Sequence, residues 1–309
     1  MNRLVTIFGG GGFIGHYVAQ ALLGAGYRVR IAERHPKNAW RIKSYGNLGQ
    51  VQFMAADILR PDTVAAAVDG ADVVINLVGI LAGKFDAVHV QGAAHVAKAA
   101  AAAHVGALIQ LSAIGADVAS ASAYGRSKGE GEAAVRAAFP AAIILRPSIV
   151  FGPEDNFVNR FAAMAKLPVL PVLRGAAKFQ PLFAGDIGHA VVAALGDADH
   201  AGKTFELGGP EVLSMRQLNE LICHLTGQTP SIIDVPDCMG GLMAKLLGWA
   251  PGAPITQDQW LMLQQDNVVA AGALGFAALG IAPQALETVG PRWLVRFRNH
   301  GRFAANTPA

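Results

Sequence analysis

A run of four glycines at residues 9–12 constrains this chain more than any other feature of its sequence. It follows a short apolar segment, residues 4–8, and leads into a further glycine three residues later, Gly15. This order predicts a strand, a tight turn and a helix whose backbone N–H groups and dipole face an anion. Two spacings, starting at Gly9 or at Gly10, fit a dinucleotide fingerprint, so the register stays open. The predicted cofactor contacts of the turn are Gly9, Gly12, Phe13, Ile14 and Gly15.

The first half of the chain alternates short β-branched runs with alanine-rich helical stretches. That alternation is typical of βαβ units, which form a parallel sheet through right-handed crossovers. The predicted fold class is therefore α/β, a doubly wound parallel sheet of the Rossmann type with a smaller C-terminal α/β cap. The predicted strands are residues 4–8, 28–32, 51–55, 72–78, 107–112, 142–145 and 204–207, and the predicted helices are residues 15–25, 62–68, 88–103 and 127–138.

The domain organisation follows from chain length and from a change of pattern after Pro147. A chain of 309 residues is long enough for about two domains. Loops rich in proline and glycine occupy residues 152–180, which is typical of binding loops. We predict a dinucleotide-binding domain at residues 1–208, interleaved with those loops, and a smaller cap at residues 209–309 that binds a substrate or a partner.

Composition excludes several classes of protein. Apolar residues make up 52% of the chain and charged residues 15%, so disorder is excluded as the main state. A formal charge of +3 is too small to indicate a nucleic-acid partner. Two cysteines, Cys223 and Cys238, cannot form a disulfide framework, and no metal-ligand spacing is present, so we expect a reducing compartment and no metal. The histidines on or near one predicted helix are expected to be hydrogen-bonded or exposed rather than ligands: His89, His95 and His104.

Two segments near the C-terminus need separate interpretations. Residues 267–286 are uncharged but rich in glycine and alanine, which predicts a buried, partly helical segment rather than a membrane span. Residues 291–303 mix four arginines with aromatic residues. Such a tail suits docking to a partner or peripheral contact with anionic lipid, with packing of its aromatic residues onto the cap as the alternative.

The end of the second predicted strand carries the residues that select between the two nicotinamide dinucleotides. An acid there binds the ribose 2′-OH of NAD, whereas an arginine receives the 2′-phosphate of NADP. Glu33 and Arg34 compete for this role, and Glu33 is the only acid beside six Lys or Arg residues between residues 28 and 43. The local charge favours NADP(H), with NAD(H) held by Glu33 as the alternative.

Further cofactor contacts are predicted where later strands end. Asp57 follows the third strand, where it either meets the adenine or caps the next helix. The other candidates, at the ends of the fourth and sixth strands, are Leu77, Val78, Gly79 and Pro147.

Tyr124 and Lys128 place a phenol and an ammonium group one helical turn apart on the same face. A nearby cation stabilises a phenolate, so we expect Lys128 to lower the pKa of Tyr124 from about 10 toward neutrality. A tyrosine with such a pKa can donate or accept a proton beside a hydride-transfer centre. The pair therefore predicts acid–base chemistry next to the dinucleotide.

The glycine turn and the Tyr-Lys pair together resemble the extended or atypical short-chain dehydrogenases/reductases, over almost the whole chain. The resemblance implies that Tyr124 and Lys128 are catalytic, that Lys128 also binds the nicotinamide ribose, and that Ser112 orients the substrate. In the extended enzymes a Ser or Thr typically stands where this chain has Ile114. That departure favours a protein that binds the dinucleotide without turnover.

A narrower resemblance comes from residues 145–153, 154–161 and 178–181, with Asp-Gln at 258–259 and Asp-Asn at 266–267. These segments are similar to the nucleotide-binding accessory subunit of respiratory complex I and its bacterial relatives. The resemblance implies tightly held NADPH in a structural or regulatory role. Four polar residues of the cap-side loops are expected either to line a substrate pocket or to fix the loops: Asp155, Asn156, Arg160 and Gln180.

Three functions remain open at this point. The chain is an NADP(H)-dependent reductase or dehydrogenase that uses Tyr124 and Lys128, a nucleotide-loaded accessory, assembly or redox-sensing protein, or a sugar-nucleotide epimerase or dehydratase-like enzyme. We expect a dinucleotide as ligand, and either a small molecule or a respiratory-complex protein as partner. The expected location is the cytoplasm, including the periphery of the inner membrane.

Overall fold

The computed structural model describes residues 3–248, 255–299 and 301. Its strands are β1 (Leu4–Phe8), β2 (Arg28–Glu33), β3 (Val51–Ala55), β4 (Val73–Asn76), β5 (Ala107–Leu111), β6 (Ile143–Pro147), β7 (Val150–Phe151), β8 (Val169–Leu173), β9 (Lys178–Phe179), β10 (Leu182–Phe183), β11 (Thr204–Leu207), β12 (Leu213–Ser214) and β13 (Ser231–Val235).

The α-helices are α1 (Phe13–Gly24), α2 (Pro61–Val68), α3 (Ala93–Ala102), α4 (Ala123–Ala138), α5 (Val158–Met164), α6 (Ala184–Gly196), α7 (Met215–Thr226), α8 (Asp237–Leu247), α9 (Gln257–Met262), α10 (Leu286–Val289) and α11 (Pro291–Leu294). A π-helix spans Asp86–Gly92, and 3₁₀-helices span Pro36–Tyr45, Ala198–His200, Phe276–Leu279 and Val295–Phe297.

Seven strands form one parallel sheet in the order β11-β6-β5-β4-β1-β2-β3. All five residues of β1 are buried, as expected for a strand inside a sheet with helices on its faces. The chain runs outward from β1 in one direction to β3 and in the other to β6, which is the doubly wound Rossmann topology. The predicted fold class is confirmed.

Helices α2, α3 and α4 pack on this sheet through small apolar side chains. The core that they share with the strands includes Val64, Val96, Val135, Val74, Leu108 and Ile144. On α6, a Cβ at Gly188 would lie 2.7 Å from the carbonyl oxygen of Tyr17, so α6 packs directly against the backbone of α1. Alanine and glycine at these contacts let the helices approach closely.

The chain forms two compact units. The first contains the chain up to Pro147 with Ala184–Leu207 and Val269–Ala282, and the second contains Ser148–Phe183, Gly208–Val268 and the chain from Pro283 onward. The first unit therefore includes the whole seven-stranded sheet. Residues 269–282 return to it because the N–H of Glu206 on β11 donates to the Leu274 carbonyl (2.8 Å). The chain thus alternates between units more often than a division at residue 208 predicts.

The second unit has its own apolar core. Phe151, Leu218 and Trp293 are buried together in it. Three two-stranded sheets belong to this unit, β7-β10, β9-β12 and β8-β13. Helix α7 begins with a capping box in which Ser214 and Gln217 each bond the other's backbone N–H.

Two helices differ from their predicted ranges by more than two residues at an end. The predicted helix at residues 88–103 is a π-helix, Asp86–Gly92, followed by α3. The apolar period of an alanine-rich segment does not reveal the extra residue of a π-turn. The predicted helix at residues 127–138 begins at Ala123, because the side chain of Ser122 caps it by accepting the Gly125 N–H (3.2 Å).

The uncharged segment at residues 267–286 has only three buried residues, Phe276, Leu279 and Leu286, so the prediction of a buried segment is wrong. Phe276 and Leu279 anchor its single 3₁₀ turn. Gly272 and Gly280 adopt left-handed φ angles of 79° and 68°, which turn the chain instead of extending a helix. Over the part of the chain that the structure describes, no helix is both long and apolar enough to span a bilayer.

The C-terminal tail packs on the second unit as far as the structure describes it. Trp293 and Leu294 are buried in the apolar core, as the alternative of packing onto the cap predicts, so these two side chains do not form a docking surface. Arg296 donates to the Pro153 carbonyl (2.9 Å), and Arg298 donates to the Leu225 carbonyl (3.2 Å). Arg302 and Phe303, which completed the predicted surface, lie outside the described residues.

Candidate functional site

The glycine turn lies at the carboxyl end of β1. Gly9 has a left-handed φ of 78°, and its carbonyl accepts the Gly12 N–H (3.1 Å). A Cβ on Gly15 would lie 2.3 Å from that same carbonyl oxygen, so only glycine fits where α1 crosses the turn. Gly12 caps α1 without a side-chain hydrogen bond, which leaves the first N–H groups of Phe13 and Ile14 for an anion. The geometry favours the register Gly9, Gly12, Gly15.

A groove of about 330 Å³ lies at the carboxyl ends of β1, β2, β3 and β4. Its volume falls within the range of small-molecule sites. Eight of the predicted cofactor contacts line it: Gly9, Gly12, Glu33, Arg34, Asp57, Leu77, Val78 and Gly79. Five lie outside its lining, in the first turns of α1, on α4 and at the end of β6: Phe13, Ile14, Gly15, Lys128 and Pro147.

Sequence reasoning missed several residues of the groove. They are His35, Asn38, Ile58, Leu59, Ile80 and Val88, with Ala32 and Ala56. Most of them follow the carboxyl ends of β2, β3 and β4, where parallel strands place their binding residues. Their positions after predicted strands were therefore a usable signal.

Glu33 turns toward the glycine turn. A Cβ on Gly11 would lie 2.6 Å from the Glu33 carboxylate and 2.9 Å from the Ala39 Cβ, so a larger residue there would displace Glu33 or Ala39. Burial raises the pKa of the Glu33 carboxyl group, while the Gly11 N–H and His35 oppose that rise. Among the described residues, no hydrogen-bond partner reaches the buried Oε1 atom of Glu33. This oxygen suits a ribose hydroxyl, so the groove fits a dinucleotide.

Asp57 has a local role in addition to its place in the groove lining. Its side chain accepts the Leu59 N–H (3.0 Å), which closes a turn after β3. The cap residue of α2 is Arg60, which makes no side-chain cap hydrogen bond, so the alternative in which Asp57 caps the helix is wrong.

Tyr124 and Lys128 lie on the first turns of α4. The Lys128 Nζ is 5.8 Å from the centroid of the Tyr124 ring and 3.4 Å from the Leu111 carbonyl oxygen. Burial lowers the pKa of Lys128 to about 8, while Glu132 opposes that change. Burial raises the pKa of Tyr124 to about 12. The expected lowering of the Tyr124 pKa is therefore wrong for the protein alone, because desolvation outweighs the cation.

His89 links the groove to the Tyr-Lys pair, a role that the sequence did not reveal. Its Nε2 accepts the N–H of Ile80, a groove residue, at 3.0 Å, so Nδ1 carries the proton toward Ser127 Oγ (2.9 Å). Ser127 in turn donates to the Tyr124 carbonyl (2.9 Å). The His89 ring stacks on Phe85 and meets the Tyr124 ring edge-on, each at 5.5 Å between centroids. The histidine is hydrogen-bonded, as predicted, and fixes the start of α4.

The stability of the protein should fall between about pH 6.5 and pH 4 because of His89. Burial and the neighbouring Lys128 lower the pKa of His89 to about 4, so the unfolded chain takes up a proton first as the pH falls. We expect the His89→Gln protein to lose less stability over this interval than wild type in urea unfolding. The matched control is His189→Gln on the exposed side of α6. A His189 variant that flattens the profile as much as His89→Gln would contradict this assignment.

The loop after β5 contains the predicted substrate-orienting residue. Ser112 is buried, and among the described residues its hydroxyl has no hydrogen-bond partner. Its backbone N–H donates to the Leu145 carbonyl (2.7 Å), and the Ile114 N–H donates to the Pro147 carbonyl (3.0 Å). Pro147 thus holds this loop to the end of β6. The buried, unpaired hydroxyl of Ser112 is available to a bound molecule.

A charged cluster supports α4 next to Lys128. Arg146 of β6 donates to both carboxylate oxygens of Glu132, at 2.9 and 2.8 Å, and reaches Glu206 at 3.4 Å. Glu132 is one helical turn beyond Lys128. The two glutamates raise the pKa of Arg146 through hydrogen bonds and charge. This cluster ties α4 to β6 and β11.

Two of the four polar residues predicted in the cap-side loops, Asp155 and Gln180, stabilise those loops. Asp155 is buried and accepts the N–H groups of Gly152 (3.1 Å) and Phe157 (2.8 Å). The Gln180 side chain donates to the Gly209 carbonyl (2.8 Å). The remaining two predicted residues are exposed: Asn156 and Arg160. Among the described residues, no group of three His, Cys, Asp or Glu side chains could hold a metal ion.

The sheet and the glycine-turn groove define a nucleotide-binding protein of the NAD dependent epimerase/dehydratase family, whose model matches residues 5–208. The chain belongs to that family. It is 33% identical to the mitochondrial NADH dehydrogenase [ubiquinone] 1 alpha subcomplex subunit 9 of Arabidopsis thaliana, over 96% of this chain and 79% of that protein. It is 32% identical to the ceramide reductase of Caulobacter vibrioides, over 76% of this chain and 74% of that protein.

A solved structure shares the fold. An NADPH-dependent quinone oxidoreductase of Escherichia coli, complexed with NADPH, superimposes with a TM-score of 0.75 and 20% identity. The match covers 92% of this chain and 97% of that one. The resemblance to the short-chain dehydrogenase/reductase superfamily and to the accessory subunit of complex I, inferred from sequence motifs, is confirmed.

Proposed function

We propose that this chain holds NADP(H) as an accessory or assembly component of a respiratory NADH dehydrogenase. The observation that carries the proposal is the similarity to the mitochondrial NADH dehydrogenase subunit, which extends over 96% of the chain instead of over the nucleotide-binding part alone. The groove geometry supports the nucleotide half of the proposal. The predicted place of action is the periphery of the inner membrane, where such complexes lie.

Each part of the groove has a role in holding the dinucleotide. The N–H groups that follow Gly12 would bind the pyrophosphate, and Glu33 Oε1 would accept the ribose 2′-OH when NAD(H) is the bound dinucleotide. Lys128, which lies beside Gly79, would hold the nicotinamide ribose, since a Cβ on Gly79 would be 3.2 Å from its Nζ. When bound, the nicotinamide supplies hydride chemistry.

The membership of a respiratory complex can be tested by native electrophoresis. We expect a tagged full-length chain, expressed in the cells that make it, to co-migrate with in-gel NADH dehydrogenase activity in mild detergent. A tagged Gly15→Ala chain separates nucleotide binding from membership of the complex, because it reports whether assembly needs the nucleotide. A wild-type chain that migrates only on its own, in cells with an active complex, would contradict the accessory role.

The preference for NADP(H) over NAD(H) rests on Arg34. It is exposed in the groove lining next to His35 and Asn38, where a 2′-phosphate would find a cation. We expect Arg34→Ala to weaken the binding of NADPH by about 1.5 to 3 kcal/mol, the range for a charge-assisted hydrogen bond. The binding of NADH should not change. Glu33→Gln should do the reverse, since it alters the group facing the ribose hydroxyl.

Titration calorimetry with both dinucleotides measures these differences. Lys98→Ala on α3 is a control for the loss of a surface cation far from the groove lining. Equal losses for NADPH and NADH in Arg34→Ala would contradict the NADP(H) assignment.

Reductase activity is the second candidate function, and the Tyr124–Lys128 pair supports it. In that reaction the Tyr124 hydroxyl would exchange a proton with the substrate, and Lys128 would favour its ionised form. The similarity to a ceramide reductase also supports reductase activity. A lipid-like or quinone-like carbonyl compound is therefore the first class of substrate to assay.

We expect Tyr124→Phe to reduce any NADPH-dependent turnover at least about a hundredfold, the usual contribution of a general acid or base. NADPH affinity should stay within about twofold, because only the hydroxyl is removed, whereas Lys128→Ala should reduce both. Stopped-flow NADPH oxidation and calorimetry separate the two effects. A Tyr124→Phe protein as active as wild type would exclude Tyr124 as the proton donor.

A further inference from the structure

The 3₁₀-helix Pro36–Tyr45 and the turn after it form an exposed surface that the nucleotide proposal does not use. A 3₁₀-helix has three residues per turn, so Lys37, Trp40 and Lys43 lie in one row along it. All three are exposed, with Trp40 at 59% of its full accessible area. The opposite row contains Ala39 and Ile42, which are buried and hold the helix on the first unit.

The turn beyond this helix presents a second apolar group. Leu48 is fully exposed in a turn that the Gln50 N–H closes on the Asn47 carbonyl (3.1 Å). Gly49 has a left-handed φ of 76°, so the turn is fixed with Leu48 at its tip. Tyr45, also exposed, ends the 3₁₀-helix and comes before this turn in the chain. We name Lys37, Trp40, Lys43, Tyr45 and Leu48 the basic-aromatic patch.

The segment that carries the patch contains charged residues of one sign only. No Asp or Glu occurs between Glu33 and Asp57, and Glu33 faces Gly11. Arg34 belongs to the groove, and Arg41 contacts the His16 ring at 2.7 Å. The lysines of the row are therefore the cations that flank Trp40 on the exposed side, where they favour an anionic partner.

We propose that the basic-aromatic patch docks the protein on an anionic lipid surface. Lysine is depleted in protein interfaces, whereas tryptophan and tyrosine flanked by lysines are typical of membrane interfaces. A leucine at the tip of a turn cannot stack on a nucleic-acid base, so it does not favour a nucleic-acid partner. It can enter the boundary between the headgroups and the acyl chains of a bilayer. The patch combines two contributions to membrane binding, electrostatic attraction and apolar insertion, and stable peripheral binding requires two such contributions.

Sedimentation with vesicles tests this proposal on the full-length chain. We expect binding to phosphatidylcholine vesicles that contain about a third phosphatidylglycerol, weaker binding at high salt, and little binding to pure phosphatidylcholine. Replacing both lysines, Lys37→Gln with Lys43→Gln, should lower the partition coefficient about thirtyfold, at about fivefold for each cation near a lipid surface. Trp40→Ser with Leu48→Ser should weaken binding without changing NADPH affinity.

The controls use exposed residues elsewhere on the first unit. Lys84→Gln with Lys98→Gln removes the same charge, and Val118→Ser removes an exposed apolar side chain. Vesicles should also shift the tryptophan emission of the wild type to the blue, and Trp40→Ser should abolish that shift. The proposal is overturned if the chain stays in the supernatant at low salt, or if the control pair weakens binding as much as the lysine pair. Patch variants that alter binding of a single-stranded oligonucleotide but not of vesicles would also overturn it.

Discussion

Replacing Gly15 by Ala is expected to reduce NADPH affinity at least about a hundredfold and to lower the free energy of unfolding by about 1 to 3 kcal/mol. The new Cβ would lie 2.3 Å from the Gly9 carbonyl oxygen and 2.5 Å from that of Gly10. Both contacts are backbone atoms of the turn, so the turn itself must move. Since the same turn presents the N–H groups for the pyrophosphate, binding suffers more than folding.

The control lies on the same helix. Gly24 ends α1, and a Cβ there would meet nothing within 4 Å. Gly24→Ala should therefore leave NADPH affinity unchanged and stabilise the protein by up to about 1 kcal/mol, the difference in helix propensity. Calorimetric titration and urea unfolding measure both quantities. If Gly15→Ala binds NADPH like wild type, the glycine turn is not the pyrophosphate site.

Arg146→Met is expected to destabilise the protein by about 3 kcal/mol, the largest effect that we predict on folding. Arg146 is 26% exposed, and its partners Glu132 and Glu206 are 7% and 13% exposed. Removing the guanidinium leaves two carboxylates with little water and without the cation that they share. The loss is therefore dominated by the cost of unpaired buried charge rather than by the attraction of one ion pair.

A second arginine in this chain provides a matched control. Arg216 also contacts two carboxylates, those of Asp234 and Glu220, but all three side chains are well exposed. Arg216→Met should hardly change the urea midpoint, because water solvates the freed carboxylates. Equal destabilisation by the two substitutions would contradict the burial argument.

The strands of the sheet could be predicted from the sequence because most of them are short runs of β-branched and other apolar residues set between alanine-rich helical stretches. Residues 4–8, 51–55 and 204–207 match β1, β3 and β11 residue for residue, and the other four strands differ by one to three residues at their ends. Strand ends were less certain because a strand stops where its hydrogen-bond partner stops, and a single sequence does not show the partner.

Long-range packing explains most of the remaining differences. The burial of Trp293 and Leu294 depends on the core around Phe151 and Leu218, which the composition of the tail cannot reveal. An arginine- and aromatic-rich segment looks the same in sequence whether its apolar side chains face a partner or its own core. Likewise, the sequence around Gly272 and Gly280 does not show that these glycines adopt left-handed φ angles, because that depends on the path of the folded chain.

The sequence predicted the kind of site and several of its residues, but not the hydrogen bonds that connect them. The glycine turn, Glu33, Arg34 and the Tyr124–Lys128 pair follow from local patterns. The role of His89 does not, because it depends on contacts to Ile80 and to Ser127, which lies 38 residues further along the chain. The pKa of Tyr124 could not be predicted from the sequence either. The spacing between Tyr124 and Lys128 is a local feature, whereas the burial of Tyr124 is set by the whole fold.

The central claim is that the groove beside Gly9, Gly12 and Gly15 holds a nicotinamide dinucleotide. The most direct test is calorimetric titration of the full-length protein, cleared of bound nucleotide, with NADPH and with NADH. The account predicts one site per chain, tighter binding of NADPH than of NADH, and loss of that site in Gly15→Ala but not in Gly24→Ala. A folded wild-type protein that binds neither dinucleotide would contradict it.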